Sequence, residues 1–191
     1  MIGMLNGRLV EKNPTDLLVD CGGVCYEVRI SLNTFSKIGE NESIKIFTKL
    51  IVREDAHILY GFLDQDERLM FNLLISVSGI GPNTAIIMLS SLTTEEIASA
   101  IQAENVATIQ KIKGIGAKTA QRVIIDLKGK VLKFNVTDEN VPNQHNTNRI
   151  DALNALVSLG FDKKSVDKVL NQVDTGGLSV EILIKESLRM L

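Results

Sequence analysis

The spacing of apolar residues changes along the chain and divides it into three stretches. Up to residue 62 the apolar positions alternate or form short clusters: Leu17-Leu18-Val19, Val24-Cys25-Tyr26-Glu27-Val28, Ile44-Lys45-Ile46-Phe47 and Ile58-Leu59-Tyr60. Turn signals separate them at Asn13-Pro14-Thr15-Asp16, Gly22-Gly23 and Gly39-Glu40-Asn41. This predicts about five or six short strands, which bury one face only by curling on themselves. A small Greek-key barrel of the OB type over residues 1–63 is the expected solution. Tyr26, Phe47, Tyr60 and Phe62 alternate as core residues of such a barrel do.

From residue 64 the spacing becomes three and four. Leu69, Phe71, Leu74 and Val77 are followed by Ala85, Met88 and Leu89, then Ile97, Ala100 and Ile101. Val106, Ile109 and Ile112 come next, and Ala120, Val123, Ile124 and Leu127 last. These are short amphipathic helices, closely connected, and they predict an all-α segment over 64–135. Thr93-Thr94-Glu95-Glu96 marks a helix start, with a capping hydroxyl and acids in the first turn. Residues 136–148 have no apolar period and are rich in Asn, Thr and Pro, the composition of a flexible tether. Residues 149–191 resume helical spacing. Their stripes are Leu153, Leu156 and Val157, then Val166, Val169 and Leu170, then Ile182, Leu183, Leu188 and Leu191, with a turn at Leu159-Gly160-Phe161. A three-helix unit of that size is near the lower limit for independent folding and reads as a module that holds a partner. The fold class expected is therefore a multi-domain α+β chain.

The 191 residues are 45% hydrophobic and 23% charged, a globular composition. No apolar run approaches the roughly 18 residues of a membrane span. The first residues lack the basic and apolar regions of a secretion signal, so the cytoplasm is the expected compartment. Cys21 and Cys25 flank a Gly-Gly turn with no second ligand pair, so buried, reduced thiols are expected rather than a metal site. Net charge is −2, yet Lys111, Lys113, Lys118, Arg122, Lys128, Lys130 and Lys133 face one acid, Asp126, within 23 residues. A local basic surface on an acidic chain suggests a specific docking face.

That basic run holds half of an internal repeat. Ser78-Gly79-Ile80-Gly81-Pro82-Asn83-Thr84-Ala85 recurs 35 residues later as Lys113-Gly114-Ile115-Gly116-Ala117-Lys118-Thr119-Ala120. Each copy follows one apolar helix and opens another. Glycines remove the Cβ atoms that would hold a ligand away from the backbone. The helix that follows offers free N–H groups and the positive end of its dipole. Pro82 suits that helix start, where its missing N–H has no partner anyway. Together these make an anion pocket, and on a duplex the anion is a backbone phosphate. Candidate phosphate-binding residues are Ser78, Gly79, Gly81, Asn83 and Thr84 in the first copy. Gly114, Gly116, Ala117, Lys118, Thr119 and Arg122 are the candidates in the second. A P-loop is excluded because Ala117 separates Gly116 from Lys118; a dinucleotide fingerprint wants Gly or Ala where Thr84 and Thr119 stand.

This duplicated turn resembles the helix–hairpin–helix motif of DNA repair proteins. With MIGMLNGRLVEK at the start, GGVCYEV at 22–28, VREDAHILYGF at 52–62, SGIGPNTA and GIGAKTAQR, nearly the whole chain resembles the RuvA family of bacterial Holliday junction-binding proteins. The resemblance implies an OB-fold barrel, a tandem helix–hairpin–helix domain and a mobile three-helix (UBA-like) domain at 149–191. It implies a homotetramer, or a face-to-face octamer on DNA, that holds a four-way junction open. It implies RuvB, a hexameric ATPase that uses ATP and Mg, docked on residues 149–191, with the RuvC resolvase as a further partner. Glu54 and Asp55 would be the acidic pin at the tetramer centre, flanked by the basic Arg53. Met4 and Asn6 stand where relatives often carry Arg, and Asn83 and Ala117 where Lys is common.

No catalytic residue, metal or cofactor is expected in this chain. Glu54 and Asp55 have only His57 near them, too little for a two-metal nuclease. A helix–hairpin–helix glycosylase would need an Asp about 20 residues past the motif and a pocket for a flipped base. Asp138 has that spacing but falls in the tether, and the chain has no Trp. A single-strand binder would need aromatic stacking platforms on the barrel.

Overall fold

The computed structural model describes residues 1–39, 41–131, 134, 144–174 and 176–191. The chain forms two compact units, residues 1–135 and 136–191. Among the described residues no helix is long and apolar enough to cross a membrane.

The first unit opens with β1 (Met4–Lys12), β2 (Asp16–Asp20), β3 (Cys25–Ile30), β4 (Ser43–Val52) and β5 (His57–Phe62). They close into a barrel in the order β1-β2-β3-β5-β4. All pairs are antiparallel except β3 with β5, where Val28 meets Leu59 in parallel register. Leu5, Leu17, Val19, Val28, Ile30, Ile44, Ile46 and Leu59 fill the interior. Alternation along each strand places them there.

A short helix, α1 (Leu32–Lys37), interrupts the strands. One and a half turns are too few to show a helical period, so apolar spacing alone predicts nothing there. The signal was Ser31, whose hydroxyl accepts from the Thr34 N–H at 2.9 Å as an N-cap.

The central helices are α2 (Gln65–Ile75), α3 (Pro82–Ser91), α4 (Thr94–Gln102), α5 (Val106–Gln110) and α6 (Ala117–Leu127). The expected helix start at Thr93 opens α4, where Thr93 and Glu96 cap each other reciprocally as a capping box. Their apolar faces share one core with Tyr60 and Phe62 of β5. The Phe71 ring of α2 lies 5.1 Å from that of Tyr60 and 5.0 Å from that of Phe62. These two β5 rings therefore face the helices rather than the barrel interior, and barrel and central helices pack as one unit.

Polar bonds reinforce that seam. Glu67 of α2 is buried and accepts from Ser31 Oγ at 2.5 Å and Thr34 Oγ1 at 2.6 Å. Burial pushes its carboxyl above the usual range, while the two hydroxyl bonds pull the other way. Asn33 donates to the carbonyls of Leu89 and Leu92 at 2.6 and 3.0 Å, and Ser90 Oγ accepts from the Leu32 N–H at 3.1 Å. The barrel's own helix thus satisfies carbonyls that the end of α3 leaves open.

The thiols differ from expectation. Cys21 is half-buried and Cys25 exposed. Both sit at the mouth of the β2–β3 hairpin, where Cys21 N–H bonds Val24 O at 2.9 Å around the Gly22-Gly23 turn. The surface position of that turn leaves Cys25 exposed, while Cys21 packs against the edge of the barrel core.

The second unit holds α7 (Gln144–Ser158), α8 (Lys163–Val173) and α9 (Val180–Leu188). Ala152, Leu156, Val166, Leu170 and Leu183 form its small core. Ile182 and Leu188 are exposed, because the face that α9 buries runs through Leu183 and Ser187 instead. Of the stretch read as a tether, residues 136–143 lie outside the described residues, whereas 144–148 already belong to α7. The start of α7 is polar in sequence, and Asn148 Nδ2 donates to Leu178 O at 3.1 Å.

Candidate nucleic-acid interface

The two glycine turns have the same backbone. Gly79 has φ 97° and Gly114 φ 90°, values that L side chains adopt only under strain. Gly81 and Gly116 are the N-caps of α3 and α6, at φ −86°, ψ 168° and φ −83°, ψ 166°. The hydrogen bonds repeat at the same interval of 35 residues: Ile80 N–H to Val77 O at 3.0 Å, and Ile115 N–H to Ile112 O at 3.2 Å. Ala85 N–H bonds Gly81 O at 3.0 Å, and Ala120 N–H bonds Gly116 O at 2.9 Å.

Why the sequence folds this way is local. The residue between the glycines, Ile80 or Ile115, is buried, as are Val77 and Ile112 before it and Ala85 and Ala120 after it. Those anchors pull the chain inward and leave all four glycines on the surface. Neither helix start carries a side-chain cap. The first-turn N–H groups are therefore left without an intrahelical partner, at the positive end of each helix. A Cβ at Gly81, Gly114 or Gly116 would meet nothing within 4 Å. What those bare positions admit is a ligand's close approach.

Second-copy residues reach the first turn. The Thr119 side chain lies 3.7 Å from where a Gly79 Cβ would stand. Arg122 Nη1 makes a long bond, 3.4 Å, to Ser78 O. Thr84 and Thr119 are half-buried; Ala117 and Lys118 are exposed. Of the basic run, Lys128 is paired with Glu104, whose carboxyl that bond holds below the usual range. Lys111, Lys113, Lys118 and Lys130 are exposed, and Lys133 lies outside the described residues.

Asn83 behaves differently from its counterpart Lys118. Its Oδ1 accepts from the Tyr60 hydroxyl at 2.9 Å and from Arg29 Nη1 at 3.5 Å. Sequence reasoning passed over Arg29, because nothing local connects β3 to a helix start 54 residues away.

Arg53, Glu54 and Asp55 occupy the β4–β5 loop, all exposed. Arg53 N–H bonds Ala56 O at 2.9 Å and closes the loop just beyond the Val52–His57 pair. No side-chain bond joins this loop to either glycine turn among the described residues. Asp138 lies outside them. Tyr60 and Phe62 are buried, Phe47 is covered by Arg68, 5.2 Å from the ring centre, and Tyr26 is half-buried against the barrel core.

Comparison with known proteins fits this geometry. Residues 1–61 match the RuvA N-terminal domain model, 71–129 a SAM-like helix–hairpin–helix tandem, and 147–191 the RuvA C-terminal domain. A protein of Christiangramia forsetii named Holliday junction branch migration complex subunit RuvA is 50% identical, with all of both chains covered. The chain belongs to the RuvA family. Proteins of the same name from Flavobacterium psychrophilum and Cytophaga hutchinsonii are 50% and 44% identical, again over the whole of both chains. Within the RuvA family frame, the helix–hairpin–helix match spans both glycine turns and the acidic loop falls in the N-terminal domain.

Proposed function

We propose that this chain binds four-way DNA junctions, holds them open, and recruits and stimulates RuvB for branch migration in recombination and repair. The observation that carries the reading is the pair of exposed turns with one backbone geometry, each presenting uncapped helix amides. Two such turns grip a duplex by its phosphates and read no base sequence. Ser78, Gly79, Gly81, Asn83 and Thr84 form the first contact, and Gly114, Gly116, Ala117, Lys118, Thr119 and Arg122 the second. The names of full-length relatives support the junction as the target.

The chain works as a homotetramer in the cytoplasm, with a second tetramer closing an octamer on DNA and RuvC as a later partner. In the tetramer the Glu54 and Asp55 carboxylates gather at the centre and repel phosphates at short range, which keeps separated strands apart. Bond-making chemistry belongs to the partner: ATP and Mg serve RuvB, which docks on residues 149–191.

A gel shift across a salt titration tests this. The chain binds a four-way junction more tightly than linear duplex of equal length. Removing residues 149–191 leaves that preference intact and abolishes stimulation of the RuvB ATPase. Equal affinity for the two DNAs overturns the junction reading, and full stimulation by the truncated chain overturns the docking site.

A further inference from the structure

The second helical position differs between the two turns: α6 carries Lys118 where α3 carries Asn83. Yet a cation stands beside Asn83. Arg29 of β3 is exposed, and its Nη1 lies 3.5 Å from the Asn83 oxygen that also accepts from Tyr60 at 2.9 Å. With that oxygen engaged, the Asn83 amide offers its NH2 group, a donor, to an incoming anion.

Arg29 makes no ion pair among the described residues. Its cross-strand partner Asp16 accepts instead from Asn13 Nδ2 at 3.0 Å and Thr15 Oγ1 at 2.8 Å. Those two bonds, ahead of the charge of Arg29, hold the Asp16 carboxyl below its usual range. Asp16 and Glu27 line the same cleft between barrel and α3 as Arg29 and Asn83. Flanking acids favour one directed contact over a diffuse cationic surface. A guanidinium suits that task, since its planar fork meets two phosphate oxygens at once.

We propose that Arg29 is a further phosphate-contacting residue, supplied by the barrel to the first glycine turn in place of the lysine that turn lacks. The inference rests on the duplex-binding reading above. Such an arrangement sets a cation at the second position of each helix, Lys118 on α6 itself and Arg29 of β3 beside Asn83 of α3.

The test uses the full chain and a four-way junction, with the slope of log affinity against log salt as readout. Each phosphate contact contributes about 0.9 to that slope on B-form DNA. Lys118→Ala is the reference and loses about one contact. Arg29→Ala loses about one more, and Asn83→Lys in the Arg29→Ala background restores it, which a misfolded variant does not do. An unchanged slope in Arg29→Ala beside a reduced one in Lys118→Ala overturns this inference and leaves the duplex-binding reading standing. A loss that Asn83→Lys fails to restore overturns the placement at the first turn. Unchanged slopes in both single variants overturn the duplex-binding reading itself.

Discussion

The two glycine turns are alike in backbone and unlike in company. The second turn is self-sufficient: Gly114 and Gly116 face open space, and Lys118 stands exposed on the helix the turn introduces. The first is embedded. Thr119 abuts it, Arg122 reaches Ser78 O, and Asn83 is held by Tyr60 and Arg29 from the barrel. Glycine and a buried isoleucine fix the shape of such a turn, whereas the surroundings set its charge and stiffness. A duplicated motif therefore gives two grips of equal form without giving equal chemistry.

Three pairs of substitutions break or sharpen this contrast. The largest effect falls on the embedded side. Glu67→Ala leaves the buried hydroxyls of Ser31 and Thr34 without their acceptor and should cost about 3 kcal/mol in chemical denaturation. Glu67→Gln keeps an acceptor and permits a pH test. Because burial raises the Glu67 carboxyl, the folded state holds its proton more tightly than the unfolded chain does. Its contribution is thus fully present at pH below the ordinary glutamate range and is lost as pH rises through the higher folded value. Melting temperatures of wild type relative to Glu67→Gln should fall across that window. A flat difference would show that the group is not shifted.

Next, Gly79→Val and Gly114→Val place a β-branched residue at φ near +90° and should each cost about 2 kcal/mol. Similar costs at the two sites would support shape set by the turn alone; a markedly larger one at Gly79 would show that its neighbours add to it. The smallest effect on stability belongs to Gly81→Ala and Gly116→Ala. Their φ and ψ suit any residue and the added methyl meets nothing, so stability should stay level or rise by up to about 1 kcal/mol. On the duplex-binding proposal junction affinity should fall at both, since the methyl would stand in the phosphate's path. A loss at one turn only would end the equivalence of the two grips.

How much of this was legible in the sequence follows from the range of each interaction. The strands, most of the helices, the helix start at Thr93 and both turns depend on neighbours within a few residues, and spacing reveals them. Helix α1 was hidden because it is shorter than two periods. Glu67 reads as an ordinary first-turn acid, and only folding brings Ser31 and Thr34 to it. Arg29 was illegible for the same reason, its contact being with Asn83 at a helix start far along the chain. The thiols were misjudged because Cys is usually buried, while a Gly-Gly hairpin mouth is a surface feature. The polar start of α7 concealed a helix because it carries no apolar stripe; Asn148 bonds through its amide.

Helix α3 is fastened to the barrel at both ends, by Asn83 at its start and by Asn33 and Leu32 at its finish. A strut clamped twice neither swivels nor slides against its mount. The Gly79–Gly81 corner is thereby tied to the β-sheet, and on the duplex-binding proposal a bound arm would take its bearing from the barrel as well as from α3.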